Sequence, residues 1–328
     1  MLLYDNPSTD PFFNLALEQV LLEEFSGEPV LMLWRNAPSV ILGVNQDPYT
    51  ECDLDFAKAN GIKIARRITG GGAVYHDLGN VNYTVLLPNT GEAPLDDRSF
   101  TEPIVSSLAA LGVPVELTGR NDLTVSGKKI SGHASCVRET CVLHHGTLLW
   151  DTDFSFLERV LTPSPDKLAG KGIQSVRSRV ANLSCLLPKN PYLNANSSTE
   201  DFLSYLKRAV GFRPCELQSG TTLAALELVE RRFSCWDWIY GKAGAFSASV
   251  SRRFPFGKID LSFNADHGRI LSVRITGDFM GDLPASELAS RFNGGTVRLI
   301  ASEICEAVPD IQRYIRGATP ELFASLFE

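Results

Sequence analysis

Between residues 30 and 149 the chain lays down short apolar and β-branched runs so close together that few leave room for a crossover helix. The runs are 30–34, 39–42, 62–65, 73–75, 82–87, 115–117, 123–125 and 141–149. A parallel crossover needs about a dozen residues or more, so strands this close pair mainly antiparallel. The expected fold is α+β, with a mainly antiparallel or mixed sheet flanked by helices. Arg35-Asn36-Ala37-Pro38 joins the first two runs, which read as a hairpin.

Helix signals punctuate the strands. Asp10 and Pro11 suit the cap and first position of a helix that places Phe13, Leu17, Val20 and Leu21 on one face and stops at Gly27. Further helices are expected over 53–60, 99–111, 199–210 and 223–232. Residues 161–182 show no periodicity but hold Lys167, Lys171, Arg177 and Arg179, and so read as a long basic loop with a functional role. From residue 258 apolar and polar residues alternate on both sides of Asp266-His267-Gly268, a hairpin signal, before helical patterns near 284–291, 296–307 and 309–316. The change of character at Phe246 divides the chain into a large domain, 1–246, and a small α+β domain, 247–328.

Charge narrows the partners. Lys+Arg 31 against Asp+Glu 38 leaves a net charge of −7, which argues against a general nucleic-acid binder. Any anionic ligand must meet a local basic site. No apolar run approaches the roughly 18 residues of a membrane span, and the first residues lack a secretory pattern. Seven cysteines without a CxxC pair read as reduced thiols, which suits the cytoplasm.

Three consecutive glycines, Gly70-Gly71-Gly72, are costly in backbone entropy and need a reason. Bare backbone can turn N–H groups toward phosphate or carboxylate oxygens while Arg66 or Arg67 supplies charge. The plainer reading is a flexible turn. In Asp122-Leu123-Thr124-Val125-Ser126-Gly127-Lys128-Lys129 two lysines leave a turn, and spacing alone does not say which one points inward. Asp122 could hold a cation or a hydroxyl beside it. His144 and His145 are adjacent on a strand and face opposite sides, so they cannot chelate one metal together. Cys136 and Cys141 stand near the lysines but have no evident partner base, and read as small buried hydrophobes.

In this order, ILGVNQDP, ARRITGGGAVYHDLGNVNYT, TGRNDLTVSGKKISGHA, HHGTLL and KGIQSVRSRVANL resemble the lipoate–protein ligase A family. CWDWIYGKAGAFS and the tail resemble the linker and small accessory domain of its two-domain bacterial members, so the resemblance spans nearly the whole chain. It implies a catalytic domain of the biotin and lipoate ligase type, related in architecture to class II aminoacyl-tRNA synthetases. It implies a two-step reaction: (R)-lipoate and Mg-ATP give lipoyl-AMP and pyrophosphate, and an acceptor lysine then takes the acyl group. The implied acceptors are apo lipoyl domains of 2-oxoacid dehydrogenase E2 subunits and the glycine-cleavage H protein, with no role for nucleic acid or membrane. By motif, Arg67, Gly72, Ala73, Val74, Tyr75, Asp122 and Lys129 would bind ATP or the adenylate, with Asp122 also facing Mg2+. Gly71, His76, Val44 and Lys129 would bind lipoate, and Lys129 would touch both lipoate and the α-phosphate. The basic loop around residues 171–179 would close over the adenylate. An acyl tunnel lined by Leu17, Trp34, Val44 and Val74 is expected. The rival readings are a Cys-dependent octanoyltransferase of the same fold, a biotin ligase, and a non-catalytic lipoate-binding or carrier-binding module.

Overall fold

A computed structural model describes residues 1–91, 97–118, 121–161, 179–241, 248–266, 269–293 and 301–326. The expected loop around 171–178, the residues at the 246/247 boundary and the turn residues His267 and Gly268 lie outside the described residues. Helix α1 (Pro11–Glu23) starts as the sequence indicates, with the Asp10 carboxylate accepting from the Phe12 N–H at 2.9 Å.

The strands in chain order are β1 (Leu2–Asp5), β2 (Val30–Trp34), β3 (Ser39–Leu42), β4 (Lys63–Arg66), β5 (Val74–His76), β6 (Asn80–Pro88), β7 (Glu116–Thr118), β8 (Asp122–Val125), β9 (Lys128–Val137), β10 (Cys141–Leu149) and β11 (Arg213–Cys215). A mixed eight-stranded sheet runs β11-β1-β2-β6-β10-β9-β8-β7, and a small sheet runs β4-β3-β5. Beyond them β12 (Ala248–Phe254), β13 (Gly257–Asp266) and β14 (Arg269–Gly277) form an antiparallel sheet packed by helices Ala285–Ser290, Ala301–Ala307 and Pro320–Ala324. The architecture is α+β, as the strand spacing indicates. Among the described residues, no helix is long and apolar enough to cross a membrane.

The expected hairpin of 30–34 and 39–42 does not form. β2 pairs with β1 and β6 in the large sheet, whereas β3 pairs parallel with β4 and antiparallel with β5 in the small one. The connection is held by buried side chains instead of a cross-strand ladder: Asn14 donates to the Arg35 carbonyl at 2.9 Å and to Asn36 Oδ1 at 2.8 Å. Satisfying these buried amides steers the chain from one sheet to the other. Both sheets contribute residues to a single cleft, the large one through β2, β6, β9 and β10 and the small one through β3 and β5, and α1 covers the large sheet with Leu15, Val20 and Leu22.

Candidate active site

The cleft lies between β5, β9, β10 and the glycine turn. Its floor is apolar, with Leu15, Trp34, Ile41, Val74 and Ala134, and Lys129 stands at its wall. Lys128 and Lys129 alternate across β9, so Lys128 is exposed while Lys129 turns inward. Lys129 Nζ lies 2.7 Å from Asp122 Oδ1, and both side chains are 35% exposed. Their strands meet at a register shift next to Leu123, which places Asp122 opposite Gly132 and Thr124 opposite Lys129. A Cβ on Gly132 would lie 2.8 Å from Lys129 Nζ, so the bare glycine leaves room for the lysine over the strand.

The three glycines have separate causes. A Cβ on Gly70 would lie 2.6 Å from the Phe279 carbonyl oxygen, so the small domain's backbone presses directly against this residue. Gly71 has φ +87° and donates its N–H to the same carbonyl at 3.1 Å. Gly72 opens into space, where an added Cβ would meet nothing within 4 Å, and it lines the cleft. Contact with the small domain thus requires glycine at 70 and the left-handed backbone requires it at 71, whereas at 72 the bare backbone faces the open cleft.

Arg67 shapes this turn. Its guanidinium donates to Thr69 Oγ1 (2.9 Å) and to the carbonyls of Ile41 (3.0 Å) and Gly72 (2.9 Å), with Gly70 accepting a further bond. Burial lowers its pKa to about 10, Glu18 opposes that shift, and the group stays charged at neutral pH. Arg67 thus lines the cleft while bracing the loop. Arg66 is fully buried behind it, bonded to the carbonyls of Gly43, Gln46, Trp238 and Ile239.

A chain of amides fixes His76. Asn6 donates to Asn14, Asn14 to Asn36, and Asn36 Nδ2 lies 3.0 Å from His76 Nδ1. Because Asn36 Oδ1 is already accepting, its amide nitrogen donates, and His76 Nδ1 must accept. The proton then sits on Nε2, which is buried without a hydrogen-bond partner among the described residues, on a ring that lines the cleft. Burial, with the Arg67 charge, lowers the His76 pKa to about 3, which keeps the ring neutral. Sequence reading gave His76 no partner, because its polarity is set by residues 40 to 70 positions away. It also left out Glu18, whose buried carboxylate accepts from Thr84 (2.6 Å) and contacts His145 Nδ1 (2.8 Å), while His145 Nε2 meets Thr69 Oγ1 at 2.8 Å.

Of the expected site residues, Arg67, Gly71, Gly72, Ala73, Val74, His76 and Lys129 line the cleft, and Asp122 reaches it through its pair with Lys129. The Tyr75 side chain points away and stacks near Phe156, since it alternates with Val74 and His76 along β5. Val44 lies on a different cavity, shared with Ile68 and Trp238, because its N–H is held by the Thr69 carbonyl behind the glycine turn. In the expected tunnel Trp34 and Val74 are in place, whereas Leu17 is fully buried in the core. Leu15, two residues earlier and so about 200° around the helix, faces the cleft.

Residues 10–210 match the lipoyl protein ligase A/B catalytic domain, and residues 243–327 match the bacterial lipoate protein ligase C-terminus. The chain is 36% identical over 336 residues to lipoate-protein ligase LplJ of Bacillus subtilis (strain 168), covering 99% of each. It is similar in structure to P. falciparum LipL1 in complex with lipoate, at 29% identity, TM-score 0.78 and 94% of each chain. Lipoate-protein ligase A bound with ATP aligns at 30% identity and TM-score 0.61, over 73% of this chain and 98% of that one. A bi-partite lipoate protein ligase studied with its E2 lipoyl domain, from Thermoplasma acidophilum, aligns at 30% identity and TM-score 0.61, over 75% and 98%.

Proposed function

The chain belongs to the lipoate–protein ligase family, and from that premise we infer that it is an ATP-dependent ligase that activates lipoate and transfers the lipoyl group to lipoyl domains. The observation that carries the reading is the Lys129–Asp122 pair at the wall of a cleft with an apolar floor and a bare-backbone rim. A long acyl chain with one carboxylate needs that combination: each methylene buried is worth about 0.8 kcal/mol, and the charged end needs a cation.

Activation joins two anions, the lipoate carboxylate and the α-phosphate, so positioning and positive charge supply most of the rate. Lys129, an ammonium at the cleft wall about a third exposed, would bridge both oxygens. Gly72, Ala73 and Val74 would lie against the nucleotide and acyl group with their backbone, as would the backbone of Tyr75. His76 would donate its Nε2 proton to an acyl oxygen. Arg67 would hold the turn in the shape that receives the adenylate. Mg2+ is part of the same reading, since it is commonly held by one or two carboxylates together with substrate phosphates and Asp122 would provide such an oxygen. The second-step nucleophile is the acceptor's lysine, which attacks as a neutral amine while Lys129 stays on the acyl oxygen. E2 subunits and the glycine-cleavage H protein are the proposed acceptors. Use of scavenged free lipoate in the cytoplasm completes the reading, supported by seven cysteines that are all free thiols.

Lipoate-dependent exchange of labelled pyrophosphate into ATP tests activation directly. Exchange only with lipoate present is the expected result, and none under any condition would overturn the reading.

A thiol nucleophile is not part of this scheme. Cys136 is 3% exposed and burial pushes its thiol up to about 11, while Cys141 is fully buried with its sulfur 3.5 Å from the Leu22 carbonyl. Cys136→Ala and Cys141→Ala are each expected to keep ATP-dependent transfer within about threefold of wild type, since a catalytic nucleophile would cost far more. Loss of transfer in a variant with normal circular dichroism would restore the thioester mechanism.

We also assign the small domain, 247–328, to activation more than to transfer. Phe279 in that domain accepts from Gly71, and Met280 lies against Gly70, so removing it frees the turn that receives the adenylate. A chain ended at residue 246 is expected to lose about 10²-fold in pyrophosphate exchange, the usual scale for a small misplacement of reacting groups. It should still transfer from preformed lipoyl-AMP. Loss of transfer in a folded truncate would contradict the assignment.

A further inference from the structure

We propose that Asp97, His133 and His144 form a binding site for a divalent transition metal of the zinc class, beside the cleft that His133 lines together with Lys129. Strand pairing makes the cluster. His133 stands opposite Gly146 and His144 opposite Ser135 in the antiparallel β9–β10 ladder, so the two imidazoles are diagonal neighbours on one face. His145 takes the other face, toward Glu18. Asp97, in the first turn of helix Asp97–Ala110, brings its carboxylate over the same face.

The two histidine rings are 4% and 0% exposed as residues, and among the described residues none of their four ring nitrogens has a hydrogen-bond partner. Buried polar atoms are rarely left so. Asp97 Oδ2 lies 3.5 Å from His133 Nε2, and Asp97 Oδ1 lies 3.6 Å from His144 Nε2. Those separations are long for hydrogen bonds. Metal–ligand bonds of about 2.0–2.2 Å put neighbouring ligand atoms of a tetrahedral zinc site about 3.3–3.6 Å apart, so each imidazole already stands at that distance from one of the two Asp97 oxygens. One ligand atom from each residue lies within 4.8 Å of the other two, so a modest closure completes the three protein ligands. Two imidazoles and one carboxylate select zinc-like ions over Mg2+, which prefers oxygen alone. Asp97 and His133 also border a cavity of about 390 Å³ next to Pro255 and Phe256, which gives an ion a way in and leaves a position for water. A bound ion would tie the helix at Asp97 to β9 and β10.

The test is metal content after the full chain is stripped with chelator and dialysed against Zn2+. Thiols also hold zinc, so the reading is the difference between wild type and Asp97→Ala. Wild type is expected to retain about one equivalent more than the variant, and to show a zinc-dependent rise in Tm that the variant lacks. His133→Gln, measured the same way, serves if Asp97→Ala does not fold. Equal zinc content and equal Tm response in wild type and a folded variant would overturn the site.

Discussion

Replacing Lys129 with alanine is expected to lower lipoate-dependent pyrophosphate exchange by about 10³-fold or more while leaving the fold intact. Losing one preorganised donor to a developing charge costs about 10²–10³-fold, and this ammonium would serve two anions. The fold should survive because the side chain is 35% exposed and its carboxylate partner Asp122 is equally wet. β9 stays paired through its backbone to β8 and β10. Circular dichroism and Tm would confirm retention. Lys129→Arg should not rescue the reaction, because a planar fork cannot replace a compact mobile charge between two ligands. Exchange within tenfold of wild type in Lys129→Ala would remove Lys129 from the centre of the mechanism.

Arg67→Ala is expected to act on stability first. It would take the donor from the buried carbonyls of Ile41 and Gly70, from the half-buried carbonyl of Gly72 and from the Thr69 hydroxyl. Each buried acceptor left unsatisfied costs about 1–3 kcal/mol, so losing several together removes a large part of the 5–15 kcal/mol typical of a domain. Urea unfolding should show a lower midpoint with an unchanged slope. Arg67→Lys should recover only part of the loss, since one point charge cannot reach the acceptors that a guanidinium spans. Where either variant remains folded, exchange should still fall, because the turn beside Gly72 is no longer held. A stability loss below about 1 kcal/mol would mean that the turn does not depend on Arg67.

Much of the site was legible from local pattern. Asp10 caps α1 as its residue type requires, the strand-rich segment forms an α+β sheet, and the glycine triplet lies at the cleft rim. The unreadable parts depend on distant partners. Nothing near Gly70 announces that Phe279, more than two hundred residues on, would occupy the space of its side chain. The Asn6–Asn14–Asn36 chain that orients His76 is invisible in the TGGGAVYH segment itself. Residues 35–38 look like a hairpin loop, and only the buried amides of Asn14 and Asn36 explain why the chain changes sheets. Adjacency excludes a metal held by His144 and His145 together, yet β9–β10 register places His133 beside His144, a relation that spacing does not encode. Choosing Lys129 over Lys128 needed the family resemblance, and strand alternation then supplies the physical reason.

The most direct measurement is the mass of an apo lipoyl domain after incubation with this protein and lipoate, with and without Mg-ATP. The expected result is a gain of one lipoyl group only when Mg-ATP is present. No gain with Mg-ATP, together with acylation from an octanoyl thioester, would contradict the ligase and move the chemistry to a thiol.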